Sequence, residues 1–382
     1  MILQASVPLL SLWTGAAHSA LAPKPPSYLC VEGTADCVRD EPATAGVKWH
    51  PGHYAETQSY GRIPDSVIAD IAHVAAIRGV TQRYNWSTLE PQRGAYDFSA
   101  IDADLARLRP HGKRLIVLFM DRSWSGNSSA HLPAYLANEA GTNGVFNHPI
   151  YGVGASIWKD SIMDRMIALS AALAARFDRE PLFEGMRFEE ITPGMTPGKA
   201  GVPGDYAVLD MIRQWNRLAT AAKAQWKRTN VFLNTNTLGG VAGPLEIIEH
   251  AWQVGGVGVG GPDVLPPGAG DYQIAGDRVI ARTPSSRKGD NAAAFVRDYR
   301  GELPIAHSVQ TPELGGKEGA FRPQQLADYS VLQVGSTHMS WVVAPPSVKI
   351  NWKNDILPYL AGSPRPTVQA CPKRYADGCA VN

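Results

Sequence analysis

Along the 382-residue chain, apolar positions switch repeatedly between two spacings. Short continuous or alternating runs read as strands, and longer runs with apolar residues three and four apart read as amphipathic helices. "VKWHPGHYAE" (47–56) opens the series as a strand and loop. "DSVIADIAHVAAIRG" (65–79) has helical spacing and ends in Gly, and "VTQRYNWSTLEP" (80–91) alternates like a strand. "SAIDADLARLRPHG" (99–112) is a helix, with Asp97 as its cap. "KRLIVLFMDRSW" (113–124) holds a continuous apolar run, the mark of a buried parallel strand. A loop to about residue 155 leads to the amphipathic helix 161–178 and a strand at 182–191. Helix 205–226, strand 229–236, helix 244–255 and a Gly-rich strand 256–265 follow. The series closes with helix 291–302, strand 303–314, helix 322–335, strand 336–345 and helix 352–362.

This alternation gives about eight strand–helix units, and strict alternation implies a parallel sheet. The expected fold is α/β, a single-domain (β/α)8 TIM barrel, which typically needs ~250 residues or more. A doubly wound open sheet is the rival. It would have to hold every unit in one sheet, and its first strand–helix turn lacks G-x-G-x-x-G. "GGVGVGGP" (255–262) runs into Pro and Asp instead of opening a helix, which argues against a phosphate cradle.

Composition changes the picture little. The 37 Gly and 29 Pro suit many short loops, and a net charge of +1 asks for neither nucleic acid nor an acidic partner arm. The ends carry more. "MILQASVPLLSLWTGAAHSALA" (1–22) is an apolar run ending in an A-x-A pattern, as in a secretory signal, although it lacks a positive start. No later stretch offers the ~20 apolar residues of a membrane span. The four cysteines, Cys30, Cys37, Cys371 and Cys379, sit near the two ends and suit disulfides in an exporting compartment. Local pairing, Cys30–Cys37 and Cys371–Cys379, is the simplest of three connectivities. The expected organisation is a signal (1–22), a Cys-containing leader (23–46), a barrel (47–362) and a Cys-containing tail (363–382), in a secreted or periplasmic protein.

In such barrels the active site lies at the C-terminal ends of the strands. Read in chain order, the expected strand ends carry Trp49, His50 and His53, then Arg83, Tyr84, Trp86 and Glu90, then Asp121, Arg122 and Trp124. They continue with Glu189 and Glu190, Asn234 and Asn236, Asp263, then His307, Gln310 and Glu313, and finally His338 and Trp341. There is no nucleophile elbow and no Cys. Aromatic faces with acids and amides suit a polyhydroxylated substrate, whose apolar faces stack and whose hydroxyls need directional partners. No cofactor is called for. A metal set drawn from His50, His53 and Asp121 is the alternative chemistry, although H-P-G-H is not a helical metal pair. A barrel that binds carbohydrate without cleaving it is another.

One segment is more specific. "RYNWSTLEPQRGAYDFSAIDADLARLRPHGKRLIVLF" (83–119) resembles the second and third barrel units of clan A glycoside hydrolases, those related to β-galactosidases and cellulase-like enzymes. This stretch, with its W-x-x-L-E-P-x-x-G-x-Y-D-F motif, covers about a tenth of the chain, and the rest matches by pattern only. The resemblance implies a retaining two-carboxylate mechanism, with the acid/base at the fourth strand end and the nucleophile at the seventh. Glu190 falls on the acid/base position, and Glu189 stands where the family has Asn. Glu313 is the acid nearest the nucleophile position, but it follows a Pro instead of lying squarely on the strand. If Glu313 is off the site, an inverting scheme would use Asp121 or Asp263 as base. The expected substrate contacts are Glu189, Trp341, Arg83, His50, His53, Trp86, Asp121, Trp124, Asn234, Asn236 and Gln310.

Overall fold

The computed structural model describes residues 46–124, 131–141, 143–148, 152–236, 238, 242–264, 272–275, 278–281, 296–315 and 321–380. Eight strands close into one barrel. They are β1 (Gly52–Tyr60), β2 (Ile77–Asn85), β3 (Arg114–Met120), β4 (Phe183–Glu190), β5 (Asn230–Asn234), β6 (Gly258–Gly261), β7 (Ile305–Val309) and β8 (His338–Val342). Every pairing is parallel, and β8 pairs with β1 to close the ring. Outside it lie α1 (Asp65–Ile71), α2 (Ser99–Leu108), α3 (Asp160–Phe177), α4 (Val208–Gln225), α5 (Ala242–Gln253), α6 (Pro323–Asp328) and α7 (Leu357–Ala361). The protein is a (β/α)8 barrel.

The core follows from the pattern. β3 is buried along its whole length, as a strand covered on both faces must be. Met163, Met166, Leu169, Leu173 and Phe177 form the buried stripe of α3. Phe177 stacks on Phe183 at 5.0 Å, and Phe183 on Trp226 at 5.6 Å, so that α3 is locked to β4. Each such side chain contributes about 1.5–3 kcal/mol by leaving water. Trp86 and Glu90 of the sequence motif are structural. Glu90 accepts from Trp86 Nε1 at 2.9 Å, from Tyr135 at 2.8 Å and from Gly94 N–H at 2.8 Å, and it pairs with Arg165.

The sequence reading misplaces two elements. Gly79, expected to end the first helix, lies inside β2, and the helix stops at Ile71. A Cβ there would meet the Arg114 carbonyl oxygen at 1.9 Å, so this glycine serves the close approach of β2 to β3. The first barrel strand is not 47–56. Val47–Lys48 pairs instead with Cys379–Ala380, and β1 runs on through the polar residues Thr57, Gln58 and Ser59 to Tyr60.

That second shift inverts one end of the barrel. His50 and His53 lie at the N-terminal end of β1, opposite the expected site. There Glu184 accepts from the His50 N–H at 2.9 Å and contacts the imidazoles of His50 at 2.7 Å and His338 at 3.4 Å. The Asn230 amide adds a bond to Glu184 at 3.1 Å. Burial pushes the Glu184 carboxyl up, but the bonds from His338 and His50 outweigh it and hold the carboxyl well below its ordinary range. The Cys371–Cys379 disulfide and the rings of Trp49 and Tyr375, 6.0 Å apart, cover this end. The expected signal and leader, with Cys30 and Cys37, lie outside the described residues. Among the described residues, no helix is long and apolar enough to cross a membrane.

Candidate active site

The C-terminal mouth is built around the end of β4. Register between β4 and β5 slips between Phe188 and Glu190, a bulge that breaks strict in–out alternation. Both acids of the doublet consequently reach the mouth. Glu189 Oε1 accepts from Trp124 Nε1 at 3.1 Å, while its Oε2, although buried, has no partner. Glu190 is half-buried and accepts a bond from the Asn236 amide. Burial and the neighbouring Glu189 push the Glu190 carboxyl up to about 8. Burial also raises Glu189, against the pull of Arg83 and Arg122.

Three arginines line the mouth, and each is already engaged. Arg122 grips Asp121 through two bonds, of 2.7 and 2.9 Å, and donates to the Glu190 carbonyl at 3.0 Å. Arg187, buried inside the barrel, donates to Asn234 at 2.6 Å, Ser308 at 2.8 Å and the Gly261 carbonyl at 2.7 Å. Arg83 donates to Glu56 at 3.2 Å. Glu56 also accepts from Ser308 and lies 3.8 Å from Arg187. This interior network neutralises Glu56 and gives the floor of the mouth a fixed polar surface. Glu189, Glu190 and Asp263 form no ion pair among the described residues.

Asp263 follows β6 and is half-buried. Burial and the charge of Glu56 raise it to about 6, and its own charge adds to the rise at Glu190. Glu313, expected as the nucleophile, is shut off from solvent. It lies in the short helix Thr311–Gly315, one oxygen accepting from Val264 N–H at 2.9 Å and the other from Gln310 N–H at 3.1 Å. It thereby ties the loop after β7 to the residue that follows Asp263. Burial, and Asp263 beside it, push its carboxyl well above the ordinary range.

The mouth gathers Arg83, Asp121, Trp124, Glu189, Glu190, Asn234 and Asn236. Gln310 joins them at the end of β7. Four expected contacts lie elsewhere. His50 and His53 are at the opposite end, where His53 Nε2 meets the Arg365 carbonyl at 2.9 Å. Trp341 points outward from β8, fully buried, its indole N–H on His53 at 3.0 Å and its ring 6.0 Å from Tyr359. Trp86 is fully buried on Glu90. The metal set is split, since His50 sits on Glu184 at the bottom while Asp121 is gripped by Arg122 at the top. Among the described residues, no group of three or more His, Cys, Asp or Glu is arranged to hold a metal ion.

With this geometry the chain can be set beside known proteins. No protein-family model matches it, and no curated protein does. Solved structures do. The barrel is shared with a β-amylase. Over 82% of this chain and 98% of the other, the structure is similar to the catalytic domain of β-amylase from Paenibacillus polymyxa, with a TM-score of 0.57 at 9% identity. Weaker likenesses are to endo-glycoceramidase II from Rhodococcus sp. (TM-score 0.48, 14% identity, 83% of this chain and 80% of that one) and to β-galactosidase from Marinomonas ef1 (TM-score 0.48, 12% identity, 76% and 53%). At these identities the likeness is one of fold.

Two residues of the mouth escape the sequence reading. Glu56 lies mid-strand, and Tyr60 ends β1 in register with Arg83. A strand and loop over 47–56 stops short of Tyr60 and puts Glu56 at no strand end. Register between β1 and β2 shifts between Glu56 and Tyr60, so no unbroken alternation announces this end of the strand.

Proposed function

We propose that the protein is a glycoside hydrolase working with two carboxylates, Glu190 as general acid and Asp263 as general base. The observation that carries this reading is the pair of half-buried acids at the ends of β4 and β6, each raised and neither bonded to a cation. A carboxyl raised to about 8 keeps its proton at neutral pH and can give it to a leaving glycosidic oxygen. One raised only to about 6 is ionised there and can take a proton from water. Environment thus divides the two roles.

β5 lies between β4 and β6. Strands are about 4.8 Å apart, so the ends of β4 and β6 are roughly 9–10 Å apart. That span suits the ~6.5–9.5 Å of an inverting pair, which leaves room for water, better than the ~5–5.5 Å of a retaining pair. Hydrolysis then proceeds in one step. Glu190 protonates the leaving oxygen as Asp263 deprotonates a water attacking the anomeric carbon from the opposite face. Glu189, Asn236 and Trp124 meet the sugar, and the unpartnered Glu189 Oε2 accepts from a sugar hydroxyl. The substrate is an oligosaccharide or polysaccharide, and no cofactor takes part. The barrel shared with a β-amylase is compatible with this reading. The Cys371–Cys379 disulfide fits a secreted or periplasmic site of action.

The test is the anomeric configuration of the first-formed product, followed by proton NMR. Inversion supports the Glu190–Asp263 pair. Retention would instead call for a nucleophile and reassign the second carboxylate.

A further inference from the structure

Among the described residues, only two large hydrophobic side chains are exposed, Leu209 and Tyr60. Leu209 lies on the outer helix α4. Tyr60, 38% exposed, stands on the rim of the mouth. Its Cα is in register with Arg83, whose guanidinium reaches Glu56 on the floor. Among the described residues, Tyr60 is the exposed large hydrophobic side chain that stands beside the site.

Its surroundings are built, not accidental. The ring packs against His131 at 4.7 Å, their planes inclined at 58°. His131 is fixed in turn by Asn85 at the end of β2, its Nδ1 lying 2.6 Å from Asn85 Oδ1. A carbonyl oxygen can only accept, so the ring proton sits on Nδ1 and Nε2 is left as an acceptor. Burial lowers the His131 pKa, which keeps the ring neutral at neutral pH. Two strand ends and a loop thus contribute: Tyr60 from β1, Asn85 from β2, and His131 from the segment after β3. The result is an apolar face held rigid beside a directional acceptor, the two features that a pyranose offers to match.

We propose that Tyr60, braced by His131 and Asn85, forms an outer sugar-binding subsite, so that the substrate is a chain extending from the scissile bond across the β1–β2 rim. A sugar ring stacks on Tyr60, and one of its hydroxyls donates to His131 Nε2. This inference rests on the glycosidase reading and adds to it that the preferred ligand is longer than a disaccharide. It also gives Tyr60 a role in binding and none in bond cleavage.

The test uses the full-length protein with Glu190→Gln, which blocks turnover and leaves Tyr60 in place. Cello-, xylo-, malto- and chito-oligosaccharides of increasing length are titrated calorimetrically against it. The expected result is that affinity rises with length in at least one series and that adding Tyr60→Ala removes the increment, about tenfold. Tyr60→Phe keeps the increment because it keeps the stacking face, and His131→Ala reduces it. A length increment unchanged by Tyr60→Ala overturns the subsite and leaves the glycosidase reading standing. No binding in any series, together with no reducing-sugar release by the unsubstituted protein, overturns both.

Discussion

At the scale of residues, function turns on how the barrel mouth treats five acids. Asp121 is gripped by Arg122, Glu56 is neutralised by Arg83 and the interior network, and Glu189 accepts from Trp124 through one oxygen and leaves the other unpartnered. Glu190 and Asp263 are left raised and open to a ligand. Activity should therefore depend on pH as a bell. The acidic limb is the ionisation of Asp263 near about 6, since the base works only when deprotonated. The alkaline limb is the loss of the Glu190 proton near about 8, since the acid works only when protonated. A kcat/KM profile shows both limbs, and Asp263→Asn should abolish the acidic one along with most of the rate. The doublet Glu189-Glu190 was legible in the sequence because two acids close an apolar strand. Asp263 was legible as one strand end among eight and as one of two candidate bases, with Asp121, for an inverting scheme. What set it apart, its exposure and its lack of a cation, depends on how distant loops fold around it.

At the scale of elements, the legible parts are those whose pattern local physics enforces. The continuous run of β3 and the Met and Leu stripe of α3 can be little else. The error at β1 shows the limit. A strand in a barrel interior can carry polar residues on its inward face, and Thr57, Gln58 and Ser59 look the same whether they face a polar mouth or solvent. Two elements also hold each other through single carboxylates. Glu184 ties β4 to His50, Asn230 and His338, and its loss would take that partner from the buried His50 N–H and from the imidazoles of His50 and His338, while the Asn230 amide keeps two backbone carbonyls. Glu184→Ala should cost about 3 kcal/mol in urea unfolding. Because its folded pKa is depressed, the native Glu184 contributes stability above its ordinary pKa, and that stability is lost as pH falls through the folded value. Urea midpoints should thus fall with acidification in the native protein and fall less in the variant. Glu313 clamps the loop that carries Asp263. In Glu313→Gln, an amide N–H must face a backbone N–H, so the clamp loses one bond. The expected outcome is a lower kcat with a displaced acidic limb and a melting temperature lowered by a few degrees at most.

At the scale of the whole molecule, the two ends of the barrel divide the work. The mouth keeps charged groups only partly satisfied, which is costly unless they are used. The opposite end is sealed by the Cys371–Cys379 disulfide, the pairing of Val47–Lys48 with Cys379–Ala380, and the Trp49–Tyr375 contact. Stability and chemistry are thus separated along the barrel axis. The disulfide closes a short loop, with a sequence separation of 8. Chain-entropy reasoning assigns such a loop about 2.5 kcal/mol. Reduction, or Cys371→Ser with Cys379→Ser, should lower the melting temperature while kcat well below that temperature stays the same. The Cys371–Cys379 bridge belongs to one of three connectivities that the cysteine spacing left open. That the pair closes the floor of the barrel was not legible, because the tail carries no period that announces a strand.

The central claim is that the mouth cleaves glycosidic bonds with Glu190 and Asp263. Its most direct test is reducing-sugar release from a panel of polysaccharides by the native protein, Glu190→Gln and Asp263→Asn, each shown to be folded by its melting temperature. The account predicts turnover of at least one glycan by the native protein and a loss of at least about 10²-fold in each variant. A native protein that releases no sugar, or variants that work as well as it does, would contradict the account.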